Sequence, residues 1–175
     1  MRKTEDIIEK LVSNLKPVPA FALKRRFAIA ALSALGVSLV LMLAILGPRS
    51  DMNDAVTEPG FWVKSVYNAL LALTAFFAVI RLSRPDGERG YLFVWHTLIF
   101  VAMAVTAIVQ LGFAVPGTYR TLILGSSALH CPFLIVGFAS PVFLANFAVL
   151  RRSAPADPTL AGFVAGVAAG AAGAW

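Results

Sequence analysis

The sequence has few charged residues: they make up 14% of its 175 positions, whereas hydrophobic residues make up 59%. Ordinary soluble domains carry about 25% charged residues, so this deficit argues against a soluble core. Asp and Glu are absent from every long apolar stretch. Together with a mean hydropathy of +0.81, this pattern predicts a membrane protein whose body lies in a lipid bilayer.

Cysteine and histidine are also scarce, with one Cys and two His in the whole sequence. A single cysteine, Cys131, excludes a disulfide within these residues and a cysteine-rich metal cluster. The sequence shows no nucleophile–base pair, no carboxylate pair and no histidine cluster. We therefore expect neither an enzyme nor a metal or cofactor site.

Five apolar stretches predict an all-α, polytopic membrane protein. A helix needs about 20 apolar residues to cross the hydrocarbon core, and the first four stretches reach that length. The fourth contains Pro132 and Pro141, so we expect this helix to be kinked or to start late. The fifth has sixteen residues, so we expect the natural protein to continue beyond Trp175. The predicted spans are residues 27–46, 61–82, 91–115, 129–150 and 160–175.

The basic residues predict the orientation of these spans. Residues 1–26 carry seven Lys or Arg, three lie at or after the end of the second span and two follow the fourth, so one side has twelve. The other side has three: Arg49, Lys64 and Arg120. Because loops rich in Lys and Arg stay in the cytoplasm, the N-terminus is predicted to be cytoplasmic. This topology explains the basic pI without direct nucleic-acid binding.

The chain begins with a polar, patterned segment, MRKTEDIIEKLVSNLKPVP. Its spacing predicts a helix of about twelve residues, with Thr4 as the N-cap and Pro17 ending the element. The apolar residues recur at helical spacing and form one stripe. The stripe consists of Ile7, Ile8, Leu11, Val12 and Leu15.

A helix this short is marginal alone in water, so the stripe needs a partner. A membrane surface is one candidate and another protein is the other. Helices that bind lipid usually carry a polar face dominated by Lys and Arg, whereas Glu5, Asp6 and Glu9 are acidic here. This difference favours a protein partner.

Three stretches of the sequence resemble the NrsF-type membrane anti-sigma factors of bacteria. The first is the pattern T-x-x-I-I-x-x-L-x-x-x-L-x-P-V, which starts at Thr4. The second is FWVKSVYNALLALTAFFAVIRLSRP at residues 61–85, and the third is RRSAPADPTLAGFVAGVAAGAAGA at residues 151–174. The resemblance therefore includes the beginning, the middle and the end of the chain.

The resemblance implies a six-span protein of the bacterial inner membrane, with five spans present here. Its cytoplasmic N-terminal segment, residues 1–26, would bind an extracytoplasmic-function sigma factor, and the bundle of residues 27–175 would hold that segment. Envelope stress would release the sigma factor. The binding face would be the stripe defined above. The alternative is a small transporter or channel subunit with a membrane-surface N-terminal helix.

Two further features each allow a functional and a structural interpretation. Cys131 and His130 lie at the predicted outer end of the fourth span. They are either a sensing thiol with its neighbour or a small residue at a helix start with a histidine at headgroup level. Gly162, Gly166 and Gly170 form GxxxGxxxG, which permits close helix packing. Packing within the bundle is favoured over a dimer interface.

Overall fold

The computed structural model describes residues 2–13, 21–48, 50–85, 90–115, 117–124 and 128–175. Within these ranges the protein is all-helical, which confirms the predicted fold class. The helices are α1 (Arg2–Ser13), α2 (Ala22–Ile45), α3 (Met52–Ala55), α4 (Pro59–Leu82), α5 (Gly90–Gly112), α6 (Tyr119–Leu124), α7 (Cys131–Leu150) and α8 (Pro158–Ala174).

Four helices, α2, α4, α5 and α7, are long and apolar enough to cross a membrane, and α8 is a shorter apolar helix. The ends of the predicted stretches differ from those of the helices by at most five residues, and the crossing of a membrane stays a prediction. Local residues account for the end of α2 and the start of α8. Gly47 has a φ of +72° just after α2, and the Asp157 carboxylate accepts a hydrogen bond of 3.0 Å from the Leu160 N–H at the start of α8.

The N-terminal helix begins earlier than the sequence predicts. We expected Thr4 to cap the helix, but α1 starts at Arg2, so Thr4 lies within its first turn. A threonine inside a helix cannot act as its N-cap, because that position precedes the first helical residue. The prediction of the cap was therefore wrong, while the prediction of a helix at this place was right.

The core of the bundle is built around α8, which packs against both α4 and α7, while α2 packs against α7. Small side chains make this close packing possible. The buried residues of α8 are all alanines: Ala161, Ala165, Ala168, Ala169 and Ala171. In contrast, the main contact of α5 among the described residues is with α4, and its part from Val94 to Gly112 contributes no buried residue.

One hydrophobic cluster shows which helix ends lie together. Phe27 near the start of α2 packs with Leu82 at the end of α4, Leu150 at the end of α7 and Ala161 near the start of α8. The helices α2 and α8 therefore begin at the end of the bundle where α4 and α7 finish. Phe27 is completely buried, and its ring meets that of Phe76 edge to face.

The proline inside α7 is accommodated without ending the helix. Pro141 has no N–H to donate to the carbonyl oxygen of Gly137, four residues earlier. The hydroxyl of Ser140 donates to that oxygen instead, at 2.7 Å. The helix therefore continues to Leu150 across Pro141, and it starts at Cys131, immediately before Pro132.

Candidate partner-binding helix

The helix α1 carries its apolar stripe on an exposed surface. Ile7, Ile8 and Val12 remain 58%, 54% and 59% exposed, so the bundle does not cover them. An isolated helix of twelve residues gains little stability from its backbone alone. Covering this stripe would supply the missing stabilisation, since each such side chain contributes about 1.5–3 kcal/mol when fully buried.

The structure brings three of the five predicted contact residues together. Ile8 and Val12 share one side of α1 because residues four apart return to the same face, and Ile7 borders this side, about 100° from Ile8 around the helix axis. Leu11 lies within α1. Leu15 lies outside the residues that the structure describes. The role of all five as a binding face stays a prediction.

Acidic residues of α1 occupy two different positions around the helix. Successive residues are rotated by about 100°, which places Glu5 and Glu9 next to Ile8 and Val12 along one edge of the stripe. The same rotation places Asp6 roughly opposite the centre of the stripe. All three carboxylates are exposed. The stripe therefore has an acidic edge, formed by Glu5 and Glu9.

The end of the bundle that holds the start of α2 is rich in basic side chains. It gathers residues that are far apart in sequence, because α2 begins there and α4 and α7 finish there. Most of these side chains are exposed, and Arg84 is half-buried. They are Lys24, Arg25, Arg26, Arg81, Arg84, Arg151 and Arg152.

Cys131 and His130 lie at the opposite end of the bundle. Cys131 is the first residue of α7, whose last residue, Leu150, packs at the basic end. Twenty helical residues span about 30 Å, roughly the thickness of the hydrocarbon core. Both side chains are exposed, and Cys131 is a free thiol. No group of three His, Cys, Asp or Glu residues that could hold a metal occurs in the described ranges.

The glycines of α8 differ in how closely they approach α7. An added methyl group at Gly166 would lie 4.0 Å from the Phe143 ring, and at Gly162 and Gly170 it would meet nothing within 4 Å. At Gly173 it would lie 2.7 Å from the Ala139 nitrogen. Among these glycines, Gly173 therefore lies closest to the backbone of α7. Gly173 lies outside the four-residue spacing of the other three glycines, so the GxxxGxxxG pattern does not indicate it.

The family comparison covers almost all of the chain. Residues 11–175 match the family NrsF, described as negative regulator of sigma F.

The chain belongs to the NrsF family.

Two relatives agree with this membership. The "Probable anti-sigma-F factor NrsF" of Azospira oryzae is 37% identical over 169 residues, covering 97% of this chain and 79% of the relative. The "Anti-sigma-F factor NrsF" of Caulobacter vibrioides is 34% identical over 170 residues, covering 96% of this chain and 79% of the relative. No solved structure matches the chain.

The family match begins inside the NrsF chain's first helix. It starts at residue 11, so Ile7 and Ile8 precede it, whereas Leu11 and Val12 fall within it. Both relatives are named as regulators and neither as an enzyme or a transporter. The resemblance noted from the sequence is therefore confirmed at the level of the family.

Proposed function

We propose that this NrsF-family chain is an anti-sigma factor that holds an extracytoplasmic-function sigma factor at the bacterial inner membrane through α1. The observation that carries the proposal is the exposed stripe of α1, with Ile7, Ile8 and Val12 each more than half exposed. A stripe of this kind is suited to a groove on another protein. The relatives' names supply the partner, a sigma factor.

The orientation follows from the basic end of the bundle. Seven exposed or half-buried Lys and Arg side chains lie there. Lys64 lies near the start of α4, at the other end of the bundle. Lys and Arg near span ends favour the cytoplasmic side. Since α1 directly precedes α2, it would lie in the cytoplasm, where a sigma factor can reach it.

Release of the sigma factor would be a shift between two states of the bundle, one that presents α1 and one that does not. Envelope stress would act at the opposite end, where Cys131 and His130 are exposed to the periplasm. A change there must alter the affinity of α1 for its partner, because only a difference in binding between the states can move the equilibrium. Replacing Cys131 with Ser would abolish induction by a thiol-directed signal if this thiol senses it.

The binding role of α1 can be tested with the whole chain in lipid nanodiscs and the purified sigma-F factor of the same organism. The double variant Ile8→Asp, Val12→Asp places two charges in the stripe and should weaken binding at least about 100-fold. Ser13→Asp adds the same group on the polar side of α1 and should bind like the native chain. Native affinity in the double variant would contradict the proposal.

The transporter alternative makes a different prediction for the same measurement. A transporter subunit with a membrane-surface helix would bind no sigma factor, and neither variant would change that. A substrate path through a bundle is typically marked by charged residues or broken helices, and the described part of α8 is continuous.

A further inference from the structure

We propose that the sigma-factor surface that receives α1 is an apolar groove with Lys or Arg side chains along one rim, the rim that faces Glu5 and Glu9. This inference rests on the proposed function and adds the chemistry of the partner's surface. It predicts the orientation of α1 in the groove, because only one edge of the stripe is acidic among the side chains that the structure describes.

The position of the two carboxylates carries the inference. Glu5 is three residues before Ile8, and Glu9 is three residues before Val12, so each lies beside an apolar side chain on the same turn of the helix. When Ile8 and Val12 enter a groove, both carboxylates come to its rim and lose part of their hydration. A neutral or acidic rim would oppose binding, whereas a basic rim compensates the lost hydration.

The same geometry argues against the membrane as the surface that covers α1. A helix that lies in the interface usually has Lys or Arg on its polar face, which attract anionic lipids. Here the edge next to Ile8 and Val12 would bring Glu5 and Glu9 to the depth of the lipid phosphates, where like charges repel. The acidic edge therefore favours a protein with a basic rim.

The basic end of the chain's own bundle is a second possible attraction for the acidic edge. It carries Lys24, Arg25 and Arg26 at the start of α2, close to α1 in sequence. However, Ile8 and Val12 are 54% and 59% exposed, so the part of the bundle that the structure describes does not cover the stripe. A contact with the basic end of the bundle would pair the carboxylates and leave the apolar side chains in water. A groove on another protein with a basic rim both pairs the carboxylates and buries the apolar side chains.

Two charge reversals on α1 distinguish an effect of the acidic edge on binding from an effect of the net charge. Glu9→Lys and Asp6→Lys each change the net charge by the same amount, and both residues lie in the first eight positions of α1. Asp6 is nearer the helix N-terminus, so its reversal costs at least as much helix stability through the dipole. Of these two residues, Glu9 lies on the acidic edge and Asp6 does not, which makes Asp6→Lys the matched control.

The measurement is the affinity of each full-length variant, in nanodiscs of neutral lipid, for the purified sigma-F factor. Glu9→Lys should weaken binding roughly tenfold, since an attraction becomes a repulsion at a partly dehydrated rim. Asp6→Lys should change affinity less than about twofold. Added salt should weaken the native complex more than the Glu9→Lys complex.

The outcomes distinguish this inference from the proposed function. Equal weakening by both reversals would show a long-range effect of net charge and overturn the basic rim, as would no effect of Glu9→Lys. If Glu9→Lys is neutral while Ile8→Asp, Val12→Asp abolishes binding, the stripe is the contact and only the rim is wrong. If no α1 variant alters the affinity, including the double Asp variant, the proposed role of α1 fails and the inference falls with it.

Discussion

The hydroxyl of Ser38 in α2 donates a hydrogen bond of 2.8 Å to the carbonyl oxygen of Phe138 in α7. The contact joins residues one hundred positions apart and lies one turn before Pro141, where α7 lacks a backbone donor. Ser38 is only 9% exposed. The bond therefore fixes α2 against the part of α7 whose own hydrogen bonding is interrupted.

Replacing Ser38 with Ala should lower the stability of the bundle by about 1 kcal/mol, because hydrogen bonds between membrane helices contribute about 0.6 and at most about 1.7 kcal/mol. Thermal unfolding in detergent measures the change. Ser33→Ala is the matched control, since Ser33 is exposed and its hydroxyl bonds Ala30 within the same helix. Equal effects of the two substitutions would contradict a specific role for the bond between helices.

The close approach at Gly173 predicts a larger effect. Its added methyl group would lie 2.7 Å from the Ala139 nitrogen and 2.8 Å from the Ile135 oxygen, both backbone atoms of α7. Backbone atoms cannot rotate away, so Gly173→Ala should force α8 and α7 apart and cost about 1–3 kcal/mol. Thermal unfolding of the purified variant should show a clear loss of stability.

Gly170→Ala provides the control for Gly173, because its added methyl group meets nothing within 4 Å. Alanine is about 1 kcal/mol better than glycine inside a helix, so this variant should be as stable as the native chain or more stable. Gly162→Ala should behave in the same way. A strong loss at Gly170 or Gly162 would instead support the predicted packing role of the GxxxGxxxG pattern.

These helix contacts show where sequence reasoning reached its limit. Uninterrupted apolar stretches indicate apolar helices, so the positions of α2, α4, α5, α7 and the shorter α8 could be predicted to within a few residues. Which faces meet is decided by shape at the crossing, and all four glycines of α8 look alike in sequence. The importance of Gly173 depends on the path of the α7 backbone, which no pattern in α8 encodes.

The helix that carries the candidate site could be predicted from the sequence more fully than the packing between helices. A polar, periodic segment before the first span indicated α1, because the stripe of Ile7, Ile8 and Val12 repeats at helical spacing. The N-cap was misplaced at Thr4, since a good capping residue can also occur within the first turn. The acidic edge of Glu5 and Glu9 follows from the same periodicity, once the helix has a defined register.

A buried asparagine provides a third prediction. Asn146 in α7 is 0% exposed, and neither its amide nitrogen nor its oxygen has a hydrogen-bond partner among the described residues. An unsatisfied buried polar group costs about 1–3 kcal/mol. Replacing it with the apolar Leu, which is of similar size, should leave the bundle equally stable or make it more stable in a thermal unfolding experiment.

Asn68 offers the comparison for this substitution. Its amide donates to the Ala174 carbonyl oxygen at 3.3 Å, so Asn68→Leu removes a bond between α4 and α8. We expect Asn68→Leu to be less stable than the native chain and Asn146→Leu not to be. A marked loss of stability in Asn146→Leu would mean that its amide is paired in the membrane, for example by water.

The orientation of the protein can be tested through its one cysteine. Cys131 is exposed at the end of the bundle opposite the basic residues, so in the proposed topology it faces the periplasm. A maleimide reagent that cannot cross membranes should label native protein in intact spheroplasts. The variant Cys131→Ser, Arg152→Cys moves the thiol to the basic end and should be labelled only after the membrane is permeabilised.

The opposite labelling pattern would have a specific consequence. Suppose that Cys131 reacted only after permeabilisation, while the variant Cys131→Ser, Arg152→Cys reacted in intact spheroplasts. The basic end would then face the periplasm. The helix α1 precedes α2 at that end, so it would lie where no sigma factor is present. That result would contradict both the predicted orientation and the proposal that α1 holds a sigma factor, however well the isolated protein bound one.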